Sequence, residues 1–186
     1  MILLLAIGTG LAVGLAWAKL RGHSYQVPKL NYLWLAIVAY LPQFFVTYFE
    51  RTRALAPDWL AATAIITSQV LLFFFAWFNR RVPGMSVLII GLVLNSAVMI
   101  ANGGFMPISP QTAERLAGKE RIASIDSGNR IGYKDILLPA DETRLELLAD
   151  RFLPPEGFPY QVAFSLGDIF IALGVFWVLA YQKSTA

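Results

Sequence analysis

The chain has 186 residues, of which 57% are hydrophobic, 13% aromatic and only 15% charged, with a mean hydropathy of +0.59. A soluble domain usually carries about 25% charged residues and about 45–50% apolar ones, so the composition excludes an ordinary soluble enzyme and a disordered chain. With no cysteine at all, a disulfide-stapled secreted module is excluded too, and a membrane protein remains.

A bilayer core about 30 Å thick asks for roughly 20 mainly apolar residues per spanning helix. Five stretches meet that demand, at about 1–18, 32–49, 59–78, 85–102 and 162–181. The expected fold is therefore an all-α membrane protein of five transmembrane helices, forming a single membrane domain over 1–186. The first stretch resembles a signal peptide at Ala16-Trp17-Ala18, but no basic residue precedes its apolar run, so a retained helix is expected. It also carries Ala6, Gly10, Gly14 and Ala18 four residues apart on one face, a pattern that suits close helix packing within the protein or against another subunit.

Orientation follows from lysine and arginine in the short loops. Lys19, Arg21 and Lys29 lie between spans one and two, Arg80 and Arg81 between three and four, and Lys183 after five, all without acidic neighbours. The loop between two and three mixes Arg51 and Arg53 with Glu50 and Asp58. The expected N-terminus is outside and the C-terminus cytoplasmic. On this reading the net charge of +3 signals topology, and no nucleic-acid partner is expected. Trp17, Trp34, Trp59, Trp77 and Trp177 all fall near expected helix ends, as interfacial anchors do.

Span four carries Gly91, Asn95 and Asn102 near one face, with Met99 beside them. An asparagine facing hydrocarbon would leave its amide unpaired at several kcal/mol, so these side chains should face the bundle, with Gln43, Thr67, Ser68 and Gln69 as available partners. Asn102-Gly103-Gly104 reads as a helix C-cap, where glycine permits the left-handed conformation.

Residues 103–160 form a mixed-charge segment, expected as a partly helical extracytoplasmic cap. Ser109-Pro110 marks a helix start running to about Ser124, and Asp126-Ser127-Gly128-Asn129 marks a turn. Asp141 can cap a second helix, in which Leu145, Leu148 and Phe152 recur at helical spacing. The cap should rest on the outer helix ends or on a partner protein.

Asp168 is the one formal charge inside a span. A carboxylate there is a functional candidate by default. It also lies three residues after Ser165, the spacing of a capping box, and a helix beginning there leaves only about 17 residues, roughly 25 Å. Asp168 is then expected near the outer interface. His23 is alone in its loop, and no metal-binding spacing, phosphate loop or nucleophile elbow is present. No catalytic residue, metal or cofactor is assigned from these residues.

The segment Asn102-Gly103-Gly104-Phe105-Met106-Pro107, with Glu142-Thr143-Arg144-Leu145 and Phe164-Ser165-Leu166-Gly167-Asp168, resembles a family of small bacterial integral membrane proteins classed only as a domain of unknown function. The small-residue first helix followed by a basic loop fits as well. The resemblance implies a multi-span protein with an ordered outer segment and implies no reaction. Its motifs suggest that Asp168 accepts from backbone N–H groups near Gly103 and Gly104, or pairs with Arg144, closing the cap onto the bundle.

Two functions follow as expectations. The first is a non-catalytic accessory, structural or assembly subunit of a larger membrane complex, partnered by the bilayer and other membrane subunits. The alternative is a small transporter or channel with a polar site at Asn95, Asn102 and Asp168.

Overall fold

The computed structural model describes residues 2–48, 56–132, 134–155, 157–158 and 160–182. Glu50, Arg51, Arg53 and Lys183 lie outside the described residues, as does the side chain of Gln43. The protein is mostly helical: α1 Ile2–Leu20, α2 Leu33–Tyr48, α3 Asp58–Phe78, α4 Met85–Ala101, α5 Pro110–Ala117, α6 Lys119–Ala123 and α7 Leu166–Ala180. Of these, α1 and α3 are long and apolar enough to cross a bilayer. Shorter apolar helices occupy Leu33–Pro42, Met85–Ala101 and Leu166–Ala180.

The apolar helices pack side by side in the spatial order α2–α3–α4–α7–α1. Helices α4 and α7 touch backbone to backbone because small residues face each other. A Cβ built on Gly91 would meet the Gly167 carbonyl at 2.5 Å, and one on Gly174 would meet the Leu88 nitrogen at 2.6 Å. The matching glycine ahead of α4 is Gly84, whose φ of +92° and 2.5 Å approach to the Gly174 carbonyl both exclude a side chain. Residue numbers rise on α4 as they fall on α7, so the pair is antiparallel.

The loops at one end are held by side-chain clips. Asn79 accepts from Asn31 N at 2.7 Å and donates to Asn31 O at 2.9 Å and Phe75 O at 2.8 Å, fixing the α1–α2 connection to the α3–α4 turn. Gln182 and Tyr25 tie the same connection to the end of α7. Lys19, Arg21, Lys29, Arg80 and Arg81 therefore gather at this end.

At the opposite end the described residues of 103–160 fold into the cap. Ser109 caps α5, its Oγ accepting from Thr112 N, and Pro110 opens the helix, as the sequence implies. Gly118 separates α5 from α6, which ends before Ser124. The turn at 126–129 leads into a small sheet, which corrects the all-α expectation. Strands β1 Met106–Ile108, β2 Arg130–Ile131 and β3 Asp135–Leu137 lie in the order β1-β3-β2, with β1 parallel and β2 antiparallel to β3. Two- and three-residue strands carry too short a pattern to register as period-two alternation.

The expected second cap helix from Asp141 is also corrected. Only a 3-10 turn forms, at Glu146–Leu148. Leu145 is held left-handed at φ 56°, and Asp150 N donates to Pro107 O, so the chain runs on as an irregular strand. Of the three residues at helical spacing, Leu148 packs against the Phe105–Met106 cluster, while Leu145 and Phe152 are exposed and Phe152 pairs with Phe164, so they form no common buried face. The cap docks through Phe105 and Met106 onto Ala61 and Ile65 of α3 and Val98 and Met99 of α4. A second cluster, Ile108, Ala113, Ile122, Leu137 and Ala163, forms its own small core.

Candidate functional site

Helix α7 begins at Leu166, later than the expected 162, because Ser165 stops the extended segment with a capping box. Ser165 Oγ accepts from Asp168 N, and Asp168 Oδ2 accepts from Ser165 N, both at 3.1 Å. The box is joined to α4 by Asn95. Its Nδ2 donates to Asp168 Oδ1 at 2.8 Å, and its Oδ1 accepts from Ser165 Oγ, also at 2.8 Å. The glycine contact between Gly91 and Gly167 lets the helices approach closely enough for this ring. Ser165 and Asn95 are buried, and Asp168 is half-buried.

The ring forms part of one wall of a cleft of about 430 Å³. Its apolar lining comes from Leu72 and Phe75 of α3, Leu88 and Leu92 of α4, Ile171 and Val175 of α7, and Ile2 and Leu3 of α1. Polar groups converge from Gln69, Asn95, Asp168 and Lys134 of the cap. Volume and lining match a site for a small lipophilic molecule with a polar head.

Behind Lys134 stand two carboxylates. Its Nζ lies 2.5 Å from Asp150 Oδ2 and 3.3 Å from Asp135 Oδ1. Burial alone would pull the lysine down, but Asp135, Asp150 and Asp168 together hold it well above the ordinary lysine range. Burial pushes the Asp150 carboxyl up to about 7, against the pull of Lys134 and helped by the like charges of Asp135 and Asp168. Asp135 is raised by burial as well. The arrangement is three carboxylates around one ammonium in a place with little water.

The sign of the resulting pH dependence follows. Asp150 titrates at about 7 in the fold against 3.8 ordinarily, so between those values the folded state holds the extra proton. Its contribution is complete below 3.8 and is lost as pH rises toward 7. At about 1.4 kcal/mol per pKa unit the effect is of the order of a few kcal/mol. Hydrogen exchange of the cap amides is expected to be faster at pH 8 than at pH 5 after correction for intrinsic rates. Asp150→Asn is expected to flatten the difference, and an equal difference in that variant would contradict the assignment.

The other sequence-read residues separate by role. Asn102 Nδ2 donates to Val98 O and Arg144 O, and its Oδ1 accepts from Arg144 N, so Asn102 and Arg144 do meet, through the Arg144 backbone. The suggested partners of Asp168 are thereby corrected: its oxygens accept from Asn95 and Ser165, not from Arg144 or the Gly103-Gly104 backbone. Those glycines close α4, with Gly104 N donating to Met99 O at 2.7 Å, and a Cβ at Gly104 would meet Ala62 Cβ at 2.5 Å. Ala6, Gly10, Gly14 and Ala18 are buried, and Gly10 and Gly14 face the Phe176 and Leu179 carbonyls of α7, so this stripe packs inside the protein. Ser68 returns its hydroxyl to Ala64 O in its own helix.

Sequence reading left out the cap's contribution. The mixed charge of 103–160 does not by itself single out Lys134, Asp135 or Asp150, which meet only in the folded cap. The available signal was the short apolar run 136–138 directly after Lys134-Asp135.

Residues 28–180 match the profile of a family of unknown function (DUF5317). A Thermotoga maritima protein, described as an uncharacterized protein, is 30% identical over 169 residues, which cover 88% of this chain and 84% of the relative. No solved structure matches.

Proposed function

We propose, for a chain that belongs to the DUF5317 family, a non-catalytic multi-pass membrane protein that holds one lipophilic molecule in the cleft beneath its outer cap. The observation that carries this reading is the meeting of Lys134, Asn95, Gln69 and Asp168 at the walls of an otherwise apolar chamber. In this reading all five apolar helices span the bilayer. Helix α4 at 17 residues and α7 at 15 are about 25 and 22 Å long, and local thinning or flanking residues supply the remainder.

The basic end is cytoplasmic and the cap is outside. Supporting this, Trp17 and Trp77 are exposed at the basic end with Arg21 and Arg80 over their rings, at 4.7 and 4.8 Å. The chain has no native cysteine, so single cysteines report topology cleanly. Ser127→Cys should react with an impermeant maleimide on intact cells, and Ser24→Cys only after permeabilisation.

The helix order favours an accessory role within a larger complex as the setting. With α2 and α1 at opposite ends of the row, both flanks are available to neighbouring membrane proteins. A transport path through Asn95, Asn102 and Asp168 is disfavoured, because the Asn102 amide is committed to Val98 and Arg144.

The test of the binding reading is mass spectrometry of protein purified gently from its native membrane. One lipophilic compound, near one per chain, should co-purify with the wild type. It should be absent from a folded Leu72→Trp variant, whose indole intrudes into the cleft. Identical lipid content in the two proteins would refute the reading.

A further inference from the structure

We propose that the molecule held in the cleft is a lipophilic amine, with a cationic, hydrogen-donating head on an alkyl body; this deepens the binding reading above and rests on it. Of the three carboxylates at the polar end, Asp168 is the one that lines the cleft, and it has no ion pair among the described residues. Lys134 is already engaged by Asp150 and Asp135.

The unmet demands at this end are for donors. Gln69 lines the cleft, and its Oε1 is buried without a hydrogen-bond partner. Each Asp168 oxygen accepts one bond, from Asn95 or from Ser165 N, and a carboxylate can accept about four. An acceptor left without a donor away from water costs free energy of about 1–3 kcal/mol.

A ligand carboxylate or phosphate would set a negative charge against the unpaired Asp168 carboxylate. A hydroxyl brings one donor and no charge. An ammonium brings three donors and a positive charge to pair with Asp168. Leu72, Phe75, Leu88, Leu92, Ile171 and Val175 then receive its chain. The Asp168 and Gln69 side chains are the head-group contacts.

Native mass spectrometry of the full chain in phosphatidylcholine nanodiscs tests this with decylammonium, decanol and decanoate, which share a chain and differ in head. Decylammonium is expected to be retained at one per chain, at least tenfold above the other two. Gln69→Leu, which leaves the Asn95–Ser165–Asp168 ring untouched, should reduce that preference several-fold. Asp168→Asn should do the same where circular dichroism shows it folded. Leu72→Trp should retain none of the three. Equal retention of all three by the wild type, or a preference for decanoate, overturns the amine assignment while the cleft reading stands. Failure to retain any of them saturably overturns both.

Discussion

Gly91→Leu is expected to abolish the native fold, whereas Gly8→Leu is expected to leave it unchanged. A Cβ at Gly91 would lie 2.5 Å from the Gly167 carbonyl oxygen and 2.7 Å from the Ile171 nitrogen. Both are backbone atoms of α7, so no rotamer change relieves the clash and the helices must separate. Separation pulls apart the reciprocal contacts of Gly84 with Gly174 and of Asn95 with Ser165 and Asp168. Overpacking ordinarily costs about 1–3 kcal/mol; here the loss should exceed about 3 kcal/mol, because in the proposed membrane setting helix association depends on close packing and hydrogen bonds between helices. At Gly8 an added Cβ meets nothing within 4 Å. The yield and thermal unfolding of the two purified variants check the contrast, and comparable stabilities would contradict the packing account.

Asn95→Leu is expected to cost about 3 kcal/mol, measured by thermal or denaturant unfolding, the upper part of the range for a buried group losing its partner. The change removes the donor to Asp168 and the acceptor for the Ser165 hydroxyl in one step. Hydrogen bonds between membrane helices average only about 0.6 kcal/mol, because the unfolded state in the membrane finds other partners. This ring should exceed that average. The capping box fixes both Ser165 and Asp168 on a helix start, so neither turns freely to another partner. An Asn95→Leu/Ser165→Ala double variant should be less destabilised than the sum of its parts, since the hydroxyl that needs Asn95 is gone. Strict additivity would show that the two side chains are not coupled.

How much of this was legible in the sequence depends on the length of the pattern each element carries. The apolar runs of α1 and α3 and the caps at Ser109 and Ser165 are local signals, and the structure contains all four. The resemblance to a family of unknown function holds over residues 28–180. Asn95 and Asp168 were marked separately, one as a buried amide and one as a helix cap, but their 2.8 Å bond joins elements 73 residues apart. No periodicity reports such a pairing. Gly84 and Gly174 went unmarked for a related reason: spacings of seven from Gly91 and Gly167 gain meaning only when the two helices are known to cross. Lys134 reaches the cleft, with Asp135 and Asp150 behind it, through a parallel strand pairing of three residues and a single bridge from Ile108 to Asp150, beyond what a strand signal can show.

The cleft as a site for one particular molecule is the central claim, and site-specific photocrosslinking in the native membrane tests it most directly. A diazirine amino acid at Leu72 faces the cleft, and one at Phe74, two residues on, lies on an exposed position of the same helix. The Leu72 probe is expected to capture a single lipophilic species, and the Phe74 probe the mixture of bulk lipids. The same bulk mixture at both positions would contradict the claim.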